Sequence, residues 1–282
     1  MQVLHWCWLG FGGPGGRILK RPILALLVAT VAIGSAQAAD ISVSELTKSL
    51  FAATDGQPVD LAGKNFSGLD LSGLNFKKAK LTKADLFGAD LTDASLSGVD
   101  LSGAKLDRAT IVRTDFSGAN LDGATMLVPA AFLRADKAGQ EAPKFGLAKL
   151  GGFRAIGNFR QIDFHGADMN GADFSPLSKH FSNDAYPASR RTAFRSCDFT
   201  DSKLQRAIFR HAILEFSSFV NADLSGADLT DADLTKANLT GANLEGANVS
   251  GANFDSADLR QVRGLDRAIG MDTARNLDRA FR

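Results

Sequence analysis

The sequence predicts an all-β solenoid, a chain that coils and stacks on itself. Three observations predict it. Apolar residues recur every five positions, as in ADLSGADLTDADLTKANLTGANLEGAN at 222–248. The residue two before each apolar centre is usually small, with a few larger aliphatics and Lys64 the one charged exception. The two residues after it are turn formers. One register of centres runs from Leu61 to Met126; a second holds Phe159, Phe164, Met169 and Phe174, then Phe194 to Leu259, for 32 centres, all apolar.

Each position in the repeat has a physical reason. Residues two apart in an extended segment point to the same side. The centre and the small residue, Ala at 20 of the 32 positions, therefore face inward, and the Asp or Asn between them faces out. Ser, Thr or Asp, often followed by Gly, then turns a corner. One pentapeptide cannot bury its Leu alone, but stacked coils share a core and pair their backbones. The inward position is small because a larger side chain would overpack a narrow interior. Periodicity alone leaves three or four corners per coil open.

The tandem A(D/N)LxG units, with ANLTG at 237–241 and ANLEG at 242–246, resemble the pentapeptide repeat family over residues 59–261. The resemblance implies a right-handed quadrilateral parallel β-helix with four pentapeptides per coil. The 32 repeats then make eight coils, a rod about 40 Å long at the ~4.8 Å spacing of paired strands.

The segments fall in order. Residues 1–38 read as a cleaved signal peptide: Arg17, Lys20 and Arg21 precede the apolar run Ile23–Ser35, and Ala36-Gln37-Ala38 is a cleavage site that would leave Ala39 first. That run is short of the ~20 residues of a spanning helix, so no transmembrane segment is expected after cleavage. Residues 39–58 hold an N-terminal capping helix, ISVSELTKSLFAA at 41–53, with Ser42 or Ser44 as cap and Leu46, Leu50 and Phe51 as its apolar face. Fourteen repeats fill 59–128. Residues 129–156, with Pro129 and Pro143, break the register and read either as a loop leaving one rod or as a joint between two. Eighteen repeats fill 157–261, interrupted by the loop 177–191. In 262–282, Ala274, Leu277 and Phe281 lie at helical spacing and predict a C-terminal capping helix.

Composition and motifs argue against chemistry. Beyond residue 38 there are 29 Lys and Arg against 31 Asp and Glu, so no global field suits a nucleic-acid binder or an acidic mimic of one. The histidines in that span, His165, His180 and His211, show no metal-ligand spacing, and no metal or cofactor is expected. Cys197 occupies an inward position and should be buried and inert. A filled solenoid offers no concave desolvated site along its shaft, so the protein is not expected to be an enzyme. The expected function is an exported, periplasmic or secreted scaffold that binds an unidentified protein partner. Two alternatives carry less support: a DNA-mimicking, topoisomerase-interacting protein, which family resemblance suggests, and an anion- or envelope-binding module. The candidate partner surface lies at the second interruption. Ile208 and Ile213 replace the usual polar outward residues, Phe216 follows, and Arg190, Arg191, Arg195, Arg206, Arg210 and His211 surround them. The loop is expected to fold over Ile208 and Ile213 through Leu177, Phe181 or Tyr186.

Overall fold

Every amide of the repeat finds an acceptor in the coil. In Ala227–Asp231, Asp228 N–H donates to Ala207 O of the preceding coil at 2.9 Å, and Leu229 N–H donates to Asn248 O of the following coil at 2.8 Å. Asp231 N–H donates to Ser250 O at 2.9 Å, and Ala227 N–H closes a turn onto Leu224 O at 3.0 Å. The fifth amide, Thr230 N–H, donates to the Asp228 side chain, Oδ1, at 3.0 Å. Backbone groups buried without partners are costly, so the outward Asp or Asn completes the set. The same bond recurs at Asp70–Ser72, Asn238–Thr240 and Asn248–Ser250, at 3.1, 3.0 and 3.1 Å. The corner residue after it takes a left-handed backbone, for example Gly226 at φ 65° and Asp231 at φ 55°.

The structure, a computed structural model, describes residues 39–282 except 55, 56, 77, 78, 133 and 177–190. The signal-peptide reading, Arg190 and the side chains expected to cover Ile208 and Ile213 lie outside the described residues. Repeats one coil apart pair as parallel bridges, Asp60↔Lys80↔Asp100 and onward, at a spacing of 20 residues in the regular coils. Four such ladders result. Ladder A runs from Asp60 to Arg263, B from Asn65 to Ile269 and D from Asn75 to Phe281, while C carries Asp70 to Ala130 and then Asn158 to Arg275. In the middle of B the pairing lengthens into two short strands, β1 (Thr125–Leu127) and β2 (Arg154–Ile156). Ladder A has ten rungs, so the stack is about 43 Å long at ~4.8 Å per step. All 32 predicted centres are buried, at 4% exposure or less.

The segment 129–156 is mostly coil. Ala131, Phe145, Leu150 and Ala155 are four more buried centres, which raises the pentapeptide coils from eight to nine. Only 131–143 leaves the path: 14 residues, not five, separate Ala130 in ladder C from Lys144 in ladder D. The excursion folds as a 3₁₀ turn at Ala135–Lys137 and a short helix, α2 (Ala138–Glu141). It returns onto the coil through Arg113 N–H, which donates to Glu141 O at 2.8 Å. Four residues rather than five then join Arg154 to Asn158, and there a Cβ on Gly157 would sit 3.1 Å from Pro129. These two irregularities shift the register between the blocks.

Helix α1 (Val43–Ala52) covers the first coil. Ser42 and Glu45 form a reciprocal capping box, which satisfies amides otherwise unpaired at a helix start. Leu46 and Leu50 are buried, whereas Phe51, expected beside them, is 85% exposed because it lies one residue further round the helix.

The C-terminus departs from expectation: 262–282 is not a capping helix but a tenth coil on a period of six. Arg263, Ile269, Arg275 and Phe281 are its rungs, paired with Asn243, Asn248, Asn253 and Asp258. The hexapeptides GLDRAI, GMDTAR and NLDRAF each begin with a left-handed residue, Gly264, Gly270 and Asn276, at φ 69°, 79° and 58°. Leu265, Met271 and Leu277, with Ala268, Ala274 and Ala280, pack partly buried against the core. The spacing of Ala274, Leu277 and Phe281 that suggested a helix comes from the six-residue sides, the first and third of which carry 3₁₀ turns at Leu265–Arg267 and Leu277–Arg279.

Candidate protein-binding surface

Side chains at the same position of successive coils form columns, so chain neighbours separate and coil neighbours meet. Ile208 is a rung of ladder B and Ile213 a rung of ladder C, with Arg210 and His211 at the corner between them. Arg191 joins that corner. Its Nε donates to His211 O, and its Nη2 donates to Asp231 O at 3.4 Å. Ile213 is 3% exposed and Ile208 half-buried. The remaining candidates point elsewhere. Arg206 is exposed at the corner between ladders A and B, while Arg195 and Phe216 occupy the corner between C and D.

The basic set is largely neutralised. Arg195 pairs with Glu215 at 2.7 Å, Arg210 with Asp228 at 2.6 Å, and His211 Nδ1 lies 3.6 Å from Asp231. Burial pushes the Arg191 guanidinium below its usual value against the pull of Asp233. An anion approaching this corner would have to displace existing partners. Burial likewise pushes the Cys197 thiol up to about 12, and its Sγ donates to Phe159 O at 3.2 Å. A thiol protonated at neutral pH is a poor nucleophile. Among the described residues no His, Cys, Asp and Glu cluster could hold a metal ion, and no helix is long and apolar enough to cross a membrane.

Residues 131–143 leave at the corner between C and D. Twenty residues rather than five separate Asp173 in ladder B from Ala193 in ladder C, and 177–190 among them lie outside the described residues. Ladder C borders both corners. Its middle rungs are Ala130, Asn158, Ala193 and Ile213, where the same ladder above and below shows Asp70, Asp90, Asp233 and Asn253. Sequence reading found Ile213 but missed Ala130 and Ala193, because the side of the coil they share follows only from the pairing.

A sequence model of pentapeptide repeats matches eight copies, over residues 59–86, 84–123, 192–231 and 222–261. The chain belongs to the pentapeptide repeat family. Solved pentapeptide repeat structures resemble it. HetL, involved in heterocyst differentiation regulation in the cyanobacterium Nostoc sp. strain PCC 7120, is 24% identical over 86% of this chain and 94% of its own, with a TM-score of 0.44. QnrB1, a plasmid-mediated fluoroquinolone resistance protein, is 18% identical over 77% of this chain and 89% of its own, with a TM-score of 0.32. A pentapeptide repeat protein of the Arabidopsis thaliana thylakoid lumen is 32% identical over 45% of this chain and 76% of its own, with a TM-score of 0.20. No curated protein matches in sequence. The repeat matches leave out 124–191, the span that holds both excursions.

Proposed function

We propose that this pentapeptide repeat protein is an exported, non-catalytic scaffold, a right-handed quadrilateral β-helix that binds a protein partner through the middle of ladder C. The carrying observation is the run of uncharged residues at these rungs, Ala130, Asn158, Ala193 and Ile213, of which Ala130 and Asn158 are exposed and Ala193 and Ile213 only 5% and 3% so. Interface centres are depleted in charge and rimmed by polar groups. Around these rungs the rim is supplied by paired side chains such as Arg210–Asp228 and Arg195–Glu215. The DNA-mimic reading gains nothing from these faces, since ladder A alternates Asp60, Lys80 and Asp100 and then Lys149, Asp168 and Lys203. The leader at 1–38 supports delivery to the periplasm or the medium, with Ala39 as the mature N-terminus.

The test is site-specific photocrosslinking in cells. A crosslinker at Asn158 should capture a discrete partner, while one at Asn243 in ladder A should not. Equal capture from both positions would refute the ladder C assignment. Fractionation of the same cells should place the tagged protein outside the cytoplasm, and retention inside would overturn the export reading.

A further inference from the structure

A second feature at the corner between ladders C and D has no role in the coil. Because Asn158 pairs with Ala193 and Ala193 with Ile213, the corner pairs Arg160–Gln161, Arg195–Ser196 and Glu215–Phe216 stack in successive coils. The excursion at 131–143 forms the opposite wall with Asp136 and Ala138. Between them lies a cleft of 360 Å³ lined by Asp136, Ala138, Arg160, Gln161, Arg195, Ser196 and Phe216. That volume falls in the lower range of small-ligand sites, about 300–1,000 Å³.

The charges in the cleft do not balance. Arg195 is committed to Glu215 at 2.7 Å, and Asp136 to Arg134 at 3.0 Å. Arg160 makes no ion pair among the described residues, and its Nε is shut off from solvent without an acceptor. A guanidinium is always charged, and a buried donor left unmade is costly. The cleft therefore holds one cation in want of an anion. Its wall also carries Asp136, which disfavours a second negative charge on the occupant. Phe216, 53% exposed at the rim, offers aromatic surface, and Lys236 Nζ lies 5.3 Å from its ring centroid.

We propose that this cleft binds a monoanionic carboxylate attached to a flat apolar group, with the carboxylate on the Arg160 guanidinium, Ser196 and Gln161 as added donors, and the ring against Phe216. A carboxylate without a ring, such as an acidic side chain of a peptide, lacks the group for Phe216, and the probes below separate the two. The site does not depend on the partner surface of ladder C.

The test is NMR titration of the full-length protein with benzoate, acetate, N-acetylglutamate amide, benzyl alcohol and inorganic phosphate, read at the backbone amide resonances of Gln161 and Ser196. Benzoate should give a saturable shift. Arg160→Gln should weaken it at least tenfold with an unchanged melting temperature, and Phe216→Ala should weaken benzoate but not acetate. Tighter binding of N-acetylglutamate amide than of benzoate would overturn the proposal, because the glutamate side chain has no flat group to set against Phe216. The proposal fails if benzoate produces no saturable shift, if Arg160→Gln binds it as well as the unmodified protein, or if phosphate or benzyl alcohol binds as tightly as benzoate.

Discussion

Residues 192–261 climb through their coils without gaining or losing a residue, and their inward positions are mostly Ala and Leu. The span 124–191 gains nine residues at one corner, loses one at the next and gains fifteen at a third, as the bridges from Asp115↔Lys144 to Asn158↔Ala193 record. Yet the ladders run through both. The period therefore belongs to the faces of the stack and not to the chain: a corner absorbs any number of residues provided the next rung lands in place. The interior adapts too. A phenylalanine column, Phe116, Phe145, Phe164, Phe199 and Phe219, passes through the irregular span and into the regular coils on either side, with centroids 4.8 to 5.2 Å apart. Where the regular coils begin, some inward positions are hydroxyls that bond within the core, as Thr192 Oγ1 does to Phe174 O at 2.7 Å and Ser202 Oγ to Phe199 O at 2.6 Å.

Four substitutions probe this contrast, from the largest expected effect to the smallest. Leu234→Asp places an unpaired charge in the dry core of the regular coils and should abolish the cooperative thermal transition seen by circular dichroism. Truncation to Ala compares the phenylalanine column that crosses both spans with a leucine-only stretch of the regular coils. Phe199→Ala should cost about 3–5 kcal/mol in urea unfolding and exceed Leu234→Ala by about 1 kcal/mol, because it also breaks ring contacts on both sides. A Leu234→Ala cost equal to or above that of Phe199→Ala would show that stacking adds nothing. Removing 177–191 joins Pro176 to Thr192 and restores a five-residue step. With Pro176→Gly, needed because proline cannot take the left-handed corner, the shortened chain should melt cooperatively and within about 1 kcal/mol of the parent. Loss of the transition would mean that the corner does not close independently of its loop. Val128 is a β-branched residue at φ 54° and 62% exposed. Val128→Gly should stabilise by about 0.5 kcal/mol, as relief of left-handed strain slightly outweighs added chain entropy; a lower urea midpoint would contradict it.

The same contrast explains what was legible in the sequence. Where the corner length is constant, the inward Leu and Phe residues are visible as a period, and all 32 lie in the core. Phe145 and Leu150 occupy the same kind of position, but the nine added residues before them moved their phase and removed the signal. The final coil was misread because Gly264, Gly270 and Asn276 open a second period, of six, whose inward Ala and Leu residues fall three apart and mimic a helix. The candidate surface was partly legible. Ile208 and Ile213 stand out against a polar consensus, but a cluster of arginines close in sequence is dealt out to three corners once the chain coils. Arg160 and Arg195 show the converse: far apart in the chain, they become neighbours only through the pairing of Asn158 with Ala193.

The six-residue sides of the last coil show how far the perimeter of the stack can stretch. Arg263, Ile269, Arg275 and Phe281 pair rung for rung with Asn243, Asn248, Asn253 and Asp258, although each side between them carries one residue more. The extra residue is taken up in the turns opened by Gly264, Gly270 and Asn276. A ladder therefore fixes only where its rungs land, and one stack can seat coils of unequal circumference on one another.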